Sequence, residues 1–222
     1  MKLFIILVFI LIIILGFIKI LLRLNDYKQK HHFTETYRDQ FIEFSNLFFS
    51  TFQKRWAEGT FDSEKYIWLT KNVGKIQTNL GYFGRIEYIG PFQRIHIKNY
   101  EIVVNTLPKF RDGTIDAMDV NSTDDCLIRY IGVIENQILE VKKKLKNPII
   151  WFREGFEEVA SLPVYILSWF GLLTDKTVSK VTTNIVYKII VGVGGLIALL
   201  SGLVTIIQGK EETISFLKKL LH

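Results

Sequence analysis

Apolar residues in this chain fall into two kinds of pattern, unbroken runs and stripes of three-four spacing, and the change from one to the other divides it. Residues 3–18 form an unbroken apolar run, extended beyond Lys19 by residues 20–22, and residues 189–207 form a second. Roughly 20 apolar residues cross a bilayer as a helix, so each run predicts a transmembrane segment. Stripes lie between them. Tyr37, Phe41, Phe44, Phe48 and Phe52 mark one face of a helix that continues out of the first run to about Trp56 and ends at Glu58-Gly59-Thr60. Tyr66, Leu69, Val73, Ile76 and Leu80 mark a second helix, with Asp62 or Ser63 as its cap, antiparallel to the first. Leu127, Ile131, Ile134, Ile138, Val141 and Leu145 mark a third, predicted to begin at a Ser122 or Thr123 cap with Asp124 and Asp125 in its first turn and Lys142, Lys143, Lys144 and Lys146 at its end.

Two stretches break the helical rhythm. Residues 81–113 carry Gly84, Gly90, Pro91 and Pro108 and alternate at residues 85–89, 93–97 and 100–104, which predicts a β-hairpin insertion over 85–110. Residues 111–125 are dense in turn formers and predict a loop. The expected architecture is a mainly α membrane protein. It comprises an N-terminal anchor (1–24), a three-helix domain with the β insertion (25–148), an amphipathic helix (149–173), a polar connector (174–188), a transmembrane helix (189–208) and an amphipathic tail (209–222).

Residues 149–173 decide the topology. Phe152, Phe156, Val159, Pro163, Ile166 and Phe170 make an apolar stripe, and Glu154, Glu158, Ser161, Tyr165 and Ser168 a polar one. The uncharged part, 159–173, is about 22 Å long as a helix, short of a hydrocarbon core of about 30 Å. Trp151 and Trp169 favour the headgroup level, Arg153 can snorkel, and Pro163 frees a carbonyl, all of which suit an interfacial or re-entrant helix. Trp151, Arg153, Glu154, Glu157, Glu158 and Trp169 are therefore the expected membrane-interface residues. A kinked span lined by protein is the competing reading.

Composition supports anchoring. With 49% hydrophobic and 23% charged residues, the chain is rich in apolar residues for a water-soluble domain and too charged for a fully embedded one. The net charge of +6 gathers largely beside apolar runs, at Lys19, Arg23, Lys28 and Lys30, which points to anionic lipid headgroups and not to nucleic acid. The same excess over Lys2 orients the main domain toward the cytoplasm. In the second run Gly194, Ala198 and Gly202 recur every fourth residue beside Ser201, a face for close packing against the first span or another subunit.

Catalytic chemistry is not signalled. Asp112, Asp116, Asp119, Asp124 and Asp125 do not follow the calcium-loop order. His31 and His32 lack companions at ligand spacing. The strip of Arg94, His96 and Lys98 suits exposed strand positions, and Cys126 lies beside Asp124 and Asp125, which oppose a thiolate. Gly192, Gly194 and Gly195 follow no strand and are no nucleotide fingerprint. No cofactor or metal is expected. The leading expectation is a membrane-anchored, non-enzymatic interaction or regulatory subunit, multi-pass in a bacterial plasma membrane and oligomeric through its glycine-faced transmembrane helix or paired with a partner membrane protein. A channel-like or membrane-perturbing effector is the first alternative. A lipid-acting enzyme using Glu154, Glu157 or Glu158 is the second.

Overall fold

The computed structural model describes residues 2–52, 62–89 and 96–208. Its order is α1 (Lys2–Phe52), α2 (Ser63–Leu80), a 3-10 turn (Gly81–Gly84), β1 (Arg85–Ile89), β2 (His96–Glu101), α3 (Ile102–Asp112), α4 (Ala117–Lys144), α5 (Pro148–Trp169), α6 (Asp175–Thr183) and α7 (Ile185–Gln208). The described residues are mostly helical, with one two-stranded sheet. Among the described residues two helices are long and apolar enough to cross a membrane, α1 within Ile6–Ser50 and α7 over Ile185–Thr205. The chain divides into two units, residues 26–139 and residues 1–25 with 140–222.

The first unit is built on the three stripes and one unexpected helix. Tyr37, Phe41 and Phe44 from α1 meet Tyr66, Leu69, Ile76 and Leu80 from α2, with Leu127, Tyr130 and Ile134 from α4. The α1–α2 pair is antiparallel, since the Tyr37 hydroxyl donates to the Leu69 carbonyl at 3.3 Å while Phe44 lies 6.0 Å from Tyr66. Asp62 caps α2, accepting from the Lys65 amide at 3.0 Å. The expected end of the first helix at Glu58-Gly59-Thr60 lies outside the described residues.

Helix α3 replaces the third strand and part of the loop anticipated from the sequence. Tyr100 and Glu101 close β2, but Ile102, Val103, Thr106, Leu107 and Phe110 are buried at helical spacing. Phe110 sets its ring edge-on to Phe44 and Phe48, at 4.9 Å and 5.1 Å. Burying one face in the aromatic core outweighs the β preference of Ile102, Val103 and Val104, and Pro108 is tolerated at an exposed position. Gly113, with φ of 67°, ends the helix in the left-handed conformation that glycine adopts without steric cost.

Helix α4 correspondingly starts at Ala117, before the expected cap at Ser122 or Thr123. Asp116 and Asp119 cap each other's amides, at 2.8 Å and 3.3 Å, in a reciprocal box that uses aspartate at its third position. Thr123 is buried within the helix, and its hydroxyl donates to the Asp119 carbonyl at 2.9 Å. The hairpin pairs Arg85 with Glu101 and Ile86 with Tyr100, then shifts register so that Tyr88 faces Ile97. Asn99, at φ of 58°, absorbs the extra residue of that bulge.

In the second unit α5 begins at Pro148, whose missing N–H is harmless at a first helical position, and Asn147 caps it. Pro163 sits inside the helix, which runs on to Trp169. The predicted connector is mostly helical. Thr174 caps α6, Asp175 lies in its first turn and Lys180 in its last, the arrangement a helix dipole favours, and Val178 is buried. Asn184 then separates α6 from α7, which starts four residues before the expected 189. The expected tail, 209–222, lies outside the described residues.

Candidate functional site

The unit formed by residues 1–25 and 140–222 gathers most of the residues that sequence reading singled out. Its organising contact is a crossing of α1 and α5 at two glycines. A Cβ placed on Gly16 would collide with the Trp151 carbonyl oxygen, and one on Gly155 with that of Ile12. Only glycine permits helix backbones to approach so closely. Around the crossing Phe9 packs on Phe152 at 5.0 Å and Phe17 on Trp151 at 4.7 Å.

That approach brings two complementary pairs of charges together. Lys19 and Arg23 lie four residues apart on α1, as Glu154 and Glu158 do on α5. Lys19 Nζ is 2.7 Å from Glu158, 3.3 Å from Glu154 and 3.8 Å from Glu157. Arg23 donates to Glu154 Oε2 at 3.2 Å, and Arg153 Nη2 stands 3.6 Å from the other oxygen of the same carboxylate. Glu154 is buried, its side chain 6% exposed, whereas Glu157 and Glu158 are about two-fifths exposed. A carboxylate withdrawn from water is tolerable only with such partners. With both oxygens facing cations, Glu154 is a clamp between helices and poorly placed to accept a substrate proton.

Beside the clamp, α5 and α7 border a half-open cavity of about 400 Å³. Phe152 and Phe156 form one wall and Gly192, Gly195 and Leu199 the other, with Arg153, Glu157, Tyr187 and Lys188 among the lining residues. The Tyr187 hydroxyl ties the two helices, donating to the Ala160 carbonyl at 3.1 Å beside Ser161 Oγ at 3.0 Å.

The small-residue face of α7 is engaged within the chain. Gly194 and Gly195 lie under the Phe156 ring, and Gly202 is pressed against Phe9, whose Cδ2 would stand 2.5 Å from an added Cβ. Ala198 is half-buried and Ser201 exposed. Trp169 is 90% exposed at the end of α5, far in sequence from half-buried Trp151. The sequence thus supplied the carboxylates and the glycine stripe, but not their counterparts. Lys19 and Arg23 carry an obvious role as topology charges, and Gly16 and Gly155 belong to no repeating pattern. The matching i, i+4 spacing of opposite charges on two apolar helices was the available signal.

Several of the remaining candidates are engaged structurally. Asp124 receives two hydrogen bonds from Arg38, at 2.6 Å and 3.1 Å, and Asp119 an ion pair from Lys109. His31 lies 3.1 Å from Glu35 and 3.4 Å from Glu135, and His96 pairs with Glu87; Arg94 lies outside the described residues. Cys126 is buried, and burial pushes its thiol up, Asp125 adding to the effect and Arg129 opposing it. Among the described residues no three metal-ligating side chains converge. No family model, curated protein or solved structure matches the chain.

Proposed function

We propose that the chain is a membrane-anchored, non-enzymatic interaction or regulatory subunit. It crosses the bilayer with the first part of α1 and with α7, and holds its helical domain on the cytoplasmic side. One observation carries the reading: α7 leaves Ile189, Ile190, Val193, Leu196, Ile197, Leu200, Leu203 and Val204 exposed, all at least 44%. A water-soluble protein rarely shows so continuous an apolar surface, and hydrocarbon is the medium it suits. The first part of α1 repeats the feature with Leu7, Leu11, Ile14, Ile18 and Leu22. The non-enzymatic part is supported by Glu154, Asp119, Asp124 and Cys126, each held in a clamp, a cap, an ion pair or the core.

Residues 148–169 serve in this reading as a strut at the membrane boundary, clamped to the first span through Glu154 and Glu158, with Trp169 at headgroup depth. The glycine stripe of α7, being filled by Phe156 and Phe9, supports packing inside one chain, and assembly into an oligomer would use other surfaces. Alkaline carbonate extraction of membranes carrying the full chain tests the anchoring. Retention in the pellet is expected, and release into the wash contradicts two spans. Dye leakage from liposomes carrying the purified protein tests the non-perturbing part. Tight liposomes are expected, and leakage would favour the channel-like alternative.

A further inference from the structure

The cavity between α5 and α7 opens at Gly192, next to the place where Phe156 packs on Gly194 and Gly195. A Cβ on Gly192 would meet nothing within 4 Å, so the space there is open and not already taken by the protein. Its volume, about 400 Å³, lies in the range of small-ligand pockets, about 300–1,000 Å³.

The charges beside it are unbalanced. Lys188 is exposed and has no acidic partner among the described residues. The Arg153 side chain is 65% exposed and touches carboxylate only at 3.6 Å. The one acid lining the cavity, Glu157, already faces Lys19 at 3.8 Å. An unpaired lysine and an exposed arginine held only loosely by Glu154 flank an apolar slot, which complements a molecule with an anionic head and a hydrocarbon tail.

We propose that this cavity binds an anionic phospholipid, with one acyl chain along Gly192, Phe152 and Leu199 and the headgroup phosphate engaged by Arg153 and Lys188. The site rests on reading α7 as a membrane span, which delivers it to lipid. A tail seated there gains van der Waals packing against Phe152 and Leu199, the contact that drives association within a bilayer. The basic pair favours anionic over zwitterionic headgroups.

The test uses the full chain in nanodiscs of equimolar phosphatidylglycerol and phosphatidylcholine, with native mass spectrometry of the lipid retained after release. Phosphatidylglycerol is expected in excess. Lys188→Gln should lower that excess roughly fivefold, the effect of about one basic residue near a surface. Gly192→Leu should abolish retention by filling the slot. Val193→Leu, on an exposed face that does not line the cavity, should change nothing. Equal retention of the two lipids, or equal loss in all three variants, would overturn the site and indicate annular lipid only. Carbonate extraction of the source membranes separates the two readings: release overturns the span, whereas retention without headgroup preference overturns the lipid site alone.

Discussion

Helix α1 meets two environments along one continuous backbone, and the contrast between them explains how the protein is organised. Within residues 6–22 it is apolar nearly all round, with Leu7, Leu11, Ile14, Ile18 and Leu22 exposed. Within residues 33–48 it is striped, with Tyr37, Phe41 and Phe44 buried and Asp39 and Glu43 outward. The second part is stabilised by removing one face from water. The first has no protein partner for most of its surface and relies on specific contacts at the crossing with α5. A core filled by aromatics and a contact made by glycine backbones should therefore fail in different ways.

The largest effect is expected at the crossing. Gly16→Leu forces a branched side chain into the Trp151 carbonyl, beyond the ordinary overpacking cost of about 1–3 kcal/mol, because backbone cannot yield as a side chain does. In nanodiscs, tryptic cleavage after Arg153 should become rapid while the aromatic domain stays protected. Phe44→Ala should do the reverse. Losing a ring buried against Phe110 and Tyr66 costs about 3–5 kcal/mol, read as a lower melting temperature by near-ultraviolet circular dichroism, with Arg153 still protected.

A smaller loss separates pairing from packing within the first region. Glu154→Gln leaves Lys19 and Arg23 facing a neutral group and should cost about 1–3 kcal/mol. Combined with Lys19→Met it should cost less than the sum of the two single changes, because a buried charge is expensive chiefly when its partner is removed.

The smallest effect belongs to the second region. Burial pulls the Lys109 ammonium down, but the hydrogen bond and charge of Asp119, aided by Tyr100 and Tyr88, hold it above its ordinary value. A raised folded value stabilises the fold below the unfolded lysine value of about 10.4 and is lost as pH rises through the folded one. Asp119→Asn should flatten that alkaline limb of a stability–pH curve, and an unchanged limb would contradict the pairing.

The two regions also differed in how far they could be read from sequence. The stripes of α1, α2 and α4 were legible because burial against a core imposes a period, and Tyr37, Leu69 and Leu127 are buried where it places them. Helix α3 was not, because the β-branched Ile102 and Val103 and the nearby Pro108 mimic a strand, and only Phe110 packing against α1 settles the conformation. Helix α6 was hidden by polarity, since one buried Val178 leaves almost no stripe. The carboxylates of α5 were legible as unusual charges among apolar neighbours. Their partners were not, because Lys19 and Arg23 lie 131 or more positions away and carry an obvious alternative role as flanking charges. Gly16 was invisible for a related reason: one glycine in an apolar run has no pattern until its neighbour is known.

Two spans with the intervening chain on one side of the membrane is the claim on which the account turns, and single-cysteine labelling in intact cells tests it most directly. On a Cys126→Ala background, Lys2→Cys, Asp39→Cys and Ser179→Cys would be probed with an impermeant maleimide. The account predicts labelling at position 2 and protection of both 39 and 179, lifted together when the membrane is opened. Labelling of 179 with 39 still protected would place a third crossing between them, make α5 a span and contradict the account.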